Sequence, residues 1–145
     1  MTGENKTSHT TWLVWWMRIV GTFYLSLLVA TAVLKIPIQV LAPEGTLELA
    51  AGGDGVARFL VDTWVILGLA IGSIGIALLI ASRVPSQARA LVWTVLGFEL
   101  IWGIGADIYQ LSRGHSIDKI IPWIVIHSVF IATGLLVLRK TRSLS

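Results

Sequence analysis

The chain carries eight acidic side chains in 145 residues, and one of them, Glu99, stands in the middle of a long apolar stretch. An Asp, Lys or Arg at the centre of a bilayer costs at least about 2.5–3.5 kcal/mol on insertion scales, so an ionisable group at that depth is a functional candidate by default. A carboxyl there could carry a proton, hold a cation or anchor the polar group of a ligand. The structural alternative is a hydrogen bond that only ties two helices together. At 100° per residue Glu99 shares a helix face with Val92, Val95, Trp102, Gly103, Ala106 and Gln110. Gly103 and Ala106 are small enough to admit a neighbouring helix, so Glu99 is expected to point at protein. His127 lies seven residues into another apolar stretch, on a face with Trp123, Phe130, Ile131 and Gly134. The helical rise puts it about 10 Å from the outer end of its span, with Glu99 about 7 Å deeper. On neighbouring helices the two could meet. Such a pair suits proton relay, because His titrates near neutrality; a lone His on an apolar face is otherwise a structural residue.

Asp62 and Asp107 each sit about one turn, roughly 6 Å, inside the outer ends of their helices. Together they could form an acidic entrance to a cavity open on that side. Each also has a structural account: Arg58 is an i,i+4 partner for Asp62, and Arg113 or Lys119 is in reach of Asp107. Gly68, Gly72 and Gly75 form a small-residue stripe that either seats its helix on a neighbour or makes a homodimer. Arg18 has a long enough side chain to snorkel to headgroups.

These residues need elements to carry them, and the composition says which. The chain is 55% hydrophobic and 13% charged, with seven Trp and no Cys, about half the charged share of an average soluble domain. Zero Cys excludes disulfide scaffolds, thiolate zinc and iron–sulfur sites. Three His and few acids make a multi-ligand metal site hard to build, and a haem would need a second facing His, so no metal and no cofactor is expected. No phosphate-binding glycine loop and no G-x-S-x-G elbow occurs. The net charge of +3 flanks apolar segments instead of lining one face, which argues against nucleic acid.

A membrane span takes about 20 apolar residues. Four stretches qualify, at about 12–34, 58–82, 89–111 and 120–138, and all must be helical because lipid leaves backbone groups no other partner. The expected fold is an all-α bundle of four transmembrane helices forming one membrane domain over 12–138. A tail at 1–11 precedes it, a basic tail at 139–145 follows, and one long outer loop spans 35–57. Within that loop Thr46–Ala51 fits an amphipathic turn, followed by the flexible run Gly52-Gly53-Asp54-Gly55. Gly114 is expected to end the third helix and Asp118 to N-cap the fourth, with Pro122 in its first turn.

The side holding both termini and the Arg83–Arg89 turn has Lys6, Arg18, Arg83, Arg89, Arg139, Lys140 and Arg142, seven bases against Glu4. The other side offsets Lys35, Arg58, Arg113 and Lys119 with Glu44, Glu48, Asp54 and Asp118. The positive-inside rule places both termini in the cytoplasm. Trp12, Trp15, Trp16 and Trp93 fall at the inner ends, and Trp64, Trp123 and Tyr109 near the outer ends, as an interfacial belt requires. A lesser reading is signal-peptidase cleavage after Ala30-Thr31-Ala32. The long apolar segment, its three leading Trp and its internal Arg18 argue against that.

The segments Pro43–Leu47 (PEGTL), Ala57–Trp64 (ARFLVDTW), Ala77–Arg83 (ALLIASR) and Trp123–Arg139 (WIVIHSVFIATGLLVLR) resemble the BphX-like family, over nearly all of Trp15–Arg139. DoxX-like four-span proteins are similar in size and span count only. The BphX-like resemblance implies a bacterial inner-membrane protein of a family met beside genes for aromatic-compound breakdown. It carries no catalytic residues, and it marks Pro43–Leu47 and Asp62-Thr63-Trp64 as defining features.

The functional expectation is a non-enzymatic protein that binds or moves a small, partly apolar and possibly aromatic molecule. Trp102, Trp123 and Phe130 would line its pocket, Glu99 and His127 would supply polarity, and Asp62 and Asp107 would form the entrance. The alternatives are an accessory subunit of a larger membrane complex and, more weakly, an intramembrane isomerase using Glu99 and His127 as acid and base. The expected partners are the bilayer, a small ligand, and a second copy or another membrane protein.

Overall fold

A computed structural model describes the backbone of residues 4–142 and the side chains of 10–141. The basic and acidic side chains expected at Glu4, Lys6, His9 and Arg142 lie outside that set. Among the described residues every regular element is helical. Thr10–Val33, Gly55–Ala81, Arg89–Ser112 and Ile117–Thr141 are each long and apolar enough to cross a membrane. By contact the chain divides into two compact units, Val20–Leu79 and the combination of Met1–Ile19 with Ile80–Ser145.

In the first unit, helix α1 (Glu4–Leu28) runs on into a π-helical segment, Val29–Val33. No Pro or Gly interrupts the chain between Glu4 and Val20, so residues 4–11, expected as a tail, continue the helix. The π segment stops at Lys35, which adopts a left-handed φ of 56°. That conformation costs a non-glycine residue about 1–2 kcal/mol, offset by a bond from Lys35 Nζ to the Ala32 carbonyl at 2.7 Å. The outer link then holds two short helices, α2 (Ile36–Leu41) and α3 (Thr46–Ala51). The glycine run after α3 is structured. Gly53, at φ 101°, closes a Schellman cap, with Asp54 N–H bonded to the Leu49 carbonyl and Gly53 N–H to that of Ala50. Asp54 then caps α4 (Gly55–Ala81) by accepting from the Ala57 N–H at 2.8 Å.

The glycine stripe of α4 seats on α1 within the same unit. A Cβ on Gly75 would stand 2.7 Å from the Gly21 carbonyl oxygen, and one on Gly21 would stand 2.9 Å from the Gly75 oxygen. Gly68 faces Thr31 and Gly72 faces Leu28 as closely. The face that could have formed a homodimer is therefore occupied by the chain's own first helix.

The second unit contains the start of α1, a 3-10 turn at Pro85–Gln87, α5 (Arg89–Phe98), a second π segment (Glu99–Ile104), α6 (Gly105–Ser112) and α7 (Ile117–Arg142). Gly114, at φ 85°, ends α6 in a Schellman cap with His115 N–H on the Gln110 carbonyl. α7 begins at Ile117, three residues before the expected span. Asp118 therefore stands inside the first turn, where its carboxylate accepts from the Ser116 hydroxyl, and Pro122 falls in the second turn. Trp16 is buried and donates its indole N–H to Thr133 Oγ1 at 3.1 Å, with the ring lying over Gly134. It is thus a packing residue, not a headgroup anchor. Trp12, Trp15 and Trp93 are exposed. Arg18 lies over the Trp15 ring and Lys140 over Trp12, at 6.0 and 5.5 Å from the ring centroids.

Candidate functional site

The third apolar stretch is a continuous helix whose middle is locally underwound to i→i+5 bonding. Gly105 N–H reaches back to the Leu100 carbonyl across Glu99–Ile104. Such π segments are rare and occur often at functional sites, because the extra residue per turn re-aims side chains. Here the segment opens with Glu99, contains Gly103 and leads into Asp107. All three are buried.

His127 of α7 lies against this helix. A Cβ at position 103 would stand 2.5 Å from its Nδ1 and 2.7 Å from its Cγ, so only glycine admits the ring. Nδ1 is hydrogen-bonded to Glu99 Oε2. On the far side of the ring, Nε2 stands 3.9 Å from Asp107 Oδ2, within ion-pair distance and beyond hydrogen-bond reach. Asp107 Oδ2 is fully buried with no hydrogen-bond partner. Glu99 is 1% exposed, Asp107 5% and His127 9%. Glu99 and His127, which the sequence left free to meet only on neighbouring helices, are in contact across two helices. Asp107 joins them in place of a partnership with Arg113 or Lys119.

The chemistry open to this line is specific. An imidazole flanked by two carboxylates can accept a proton at one nitrogen and release one at the other. It can equally fix the tautomer of a ring whose free edge faces a ligand. Among the described residues, no three His, Cys, Asp or Glu side chains gather as metal ligands.

The aromatic candidates distribute unevenly. Trp123 sits one turn before His127, with its ring tilted 31° at 6.5 Å between centroids. Trp102 is half-buried and stacks on Phe98, at 5.1 Å and 12°, not on the imidazole. Phe130 is half-buried on α7. Whereas Asp107 is buried, Asp62 lies on α4 and is exposed. Its expected partner, Arg58, instead donates Nε to the Ala50 carbonyl at 3.0 Å, which ties the start of α4 to α3.

Asp107 and the π segment are what the sequence reading missed as parts of one cluster. The available signal was the Gly103-Ile104-Gly105 run, two glycines four and six residues after Glu99.

Comparison with known proteins agrees over the length of the chain. The profile described as BphX-like matches residues 10–143. An uncharacterized BphX-like protein of Burkholderia cepacia is 30% identical over 121 residues, covering 80% of this chain and 83% of its own length. A second, from Paraburkholderia xenovorans strain LB400, matches with the same identity and coverage. No solved structure matches. With four apolar helices of spanning length and bacterial relatives aligned along most of its length, this chain belongs to the BphX-like family.

Proposed function

We propose that the chain is a bacterial inner-membrane protein, with both termini in the cytoplasm, that binds or moves a small, partly apolar molecule at the Glu99–His127–Asp107 cluster. The observation that carries this reading is the buried oxygen of Asp107, which has no hydrogen-bond partner. A buried unsatisfied acceptor costs about 1–3 kcal/mol. Natural interiors keep few of them, and a ligand-binding role is one reason to retain one. Trp123 beside the imidazole supplies an apolar, stackable wall. The orientation rests on seven bases against one acid on the side of the termini.

A second reading is favoured by the hydrogen bond between Glu99 and His127. An acid and a base already in contact could shuttle a proton between two positions of a bound substrate, as an isomerase requires.

Tryptophan emission tests the binding reading. In detergent, the purified full chain titrated with a broad panel of small aromatic and lipophilic molecules should show saturable quenching. Glu99→Ala should abolish it. A wild type that shows no saturable response to any member of the panel overturns the reading.

A further inference from the structure

We infer that the ligand of this site carries a hydrogen-bond donor, an alcohol, phenol or amine on a small apolar body, and that Asp107 is the residue that receives it. The inference rests on the binding reading above and adds the chemical class that the cluster selects.

The argument starts from the inventory of donors and acceptors around His127. Its Nδ1 is committed to Glu99. Its Nε2 points toward Asp107 but stops 3.9 Å short of Oδ2. At that separation the ring makes no hydrogen bond to Asp107, so one imidazole serves only one of the two acids. Two acidic groups thus share one imidazole, and the surplus is acceptor capacity concentrated on Asp107 Oδ2. A site with surplus acceptors rewards a donor, most of all a cationic one, and penalises an anion by like-charge repulsion and desolvation. No Lys or Arg makes an ion pair within 4.0 Å of Asp107 among the described residues, so an anionic ligand would meet no compensating charge there. Glycine at 103 leaves the space in which the ring lies against the helix.

Four probes of one shape separate the possibilities: toluene, benzyl alcohol, benzylamine as its ammonium ion, and benzoate. Each is titrated into the full-length protein in detergent at neutral pH. Tryptophan emission and the ligand-induced shift in melting midpoint are read independently. Benzyl alcohol and benzylamine should bind at least about tenfold more tightly than toluene, the effect of satisfying one buried acceptor, and benzoate should bind weakest. Asp107→Leu, which keeps the bulk and removes the acceptor, should bring the alcohol and the amine down to the affinity of toluene. Toluene itself should be unaffected. If that variant does not elute as a single folded species, Asp107→Asn replaces it and should erase the preference for benzylamine over benzoate. Toluene or benzoate binding as tightly as the alcohol overturns the donor inference and leaves the binding reading standing. A donor preference that survives removal of the Asp107 carboxylate overturns it as well. No saturable response to any of the four, with none across the broad panel, overturns both.

Discussion

Gly103 lies directly beneath the imidazole of His127: a single added carbon would stand 2.5 Å from Nδ1, the nitrogen that bonds to Glu99. Ring and backbone are in direct apposition, so the ring cannot stay where it is if residue 103 gains a side chain. Gly103→Ala should lower stability by about 1–3 kcal/mol through overpacking. It should also shift the His127 ring resonances in a selectively labelled sample. Unchanged ring resonances would contradict the placement of the imidazole.

Glu99 bonds to the same ring at Nδ1, and its replacements should separate charge from hydrogen bonding. Glu99→Leu leaves His127 Nδ1 without its partner in a buried setting, a loss of about 1–3 kcal/mol. Glu99→Gln keeps a side-chain group able to bond to the ring and should melt much closer to wild type. Thermal melts of the three proteins in one detergent decide the matter, and equal midpoints for Leu and Gln would remove the bond from the account.

Two glycines make a matched pair on packing. A Cβ at Gly75 meets the backbone oxygen of Gly21 at 2.7 Å, which cannot swing aside, whereas a Cβ at Gly97 meets nothing within 4 Å. Gly75→Ala should therefore destabilise by about 1–3 kcal/mol, while Gly97→Ala should stabilise by about 0.5–1 kcal/mol through helix propensity. The same melting assay reads both, and the prediction is in the opposite signs.

The proposed orientation predicts that a fluorescent protein fused after Ser145 will fold and emit in intact bacteria. Alkaline phosphatase at the same place should be inactive, because it matures only outside the cytoplasm. The reverse pattern would invert the assignment made from the basic residues.

The four apolar helices and the glycine stripe were legible in the sequence because both depend on composition and on simple spacing. That Glu99 and His127 could meet was legible from their depths, about 7 Å apart by the helical rise and so within reach on neighbouring helices. Asp107 could not. On a regular helix, eight residues advance 800°, which leaves Asp107 about 80° around from Glu99. The i→i+5 segment at Glu99–Ile104 turns less per residue, and this changes which side chains share a face. Trp16 was misread for a different reason. An aromatic near a span end fits an interfacial belt equally well whether its indole N–H meets headgroups or, as here, a threonine on another helix.

The division into two units has a consequence for how the protein is made. Val20–Leu79 brings its own glycine contacts, so the parts of α1 and α4 within it can settle together while the ribosome is still at work. The third span enters the membrane carrying Glu99 and Asp107, and the residue that lies between them is encoded 20 positions after Asp107. Until α7 emerges, that helix bears two acids with no imidazole to share. The span Ile117–Thr141 thus delivers the base on which the acids of the preceding span depend, and a nascent chain halted before His127 would present a helix that lipid alone accommodates poorly.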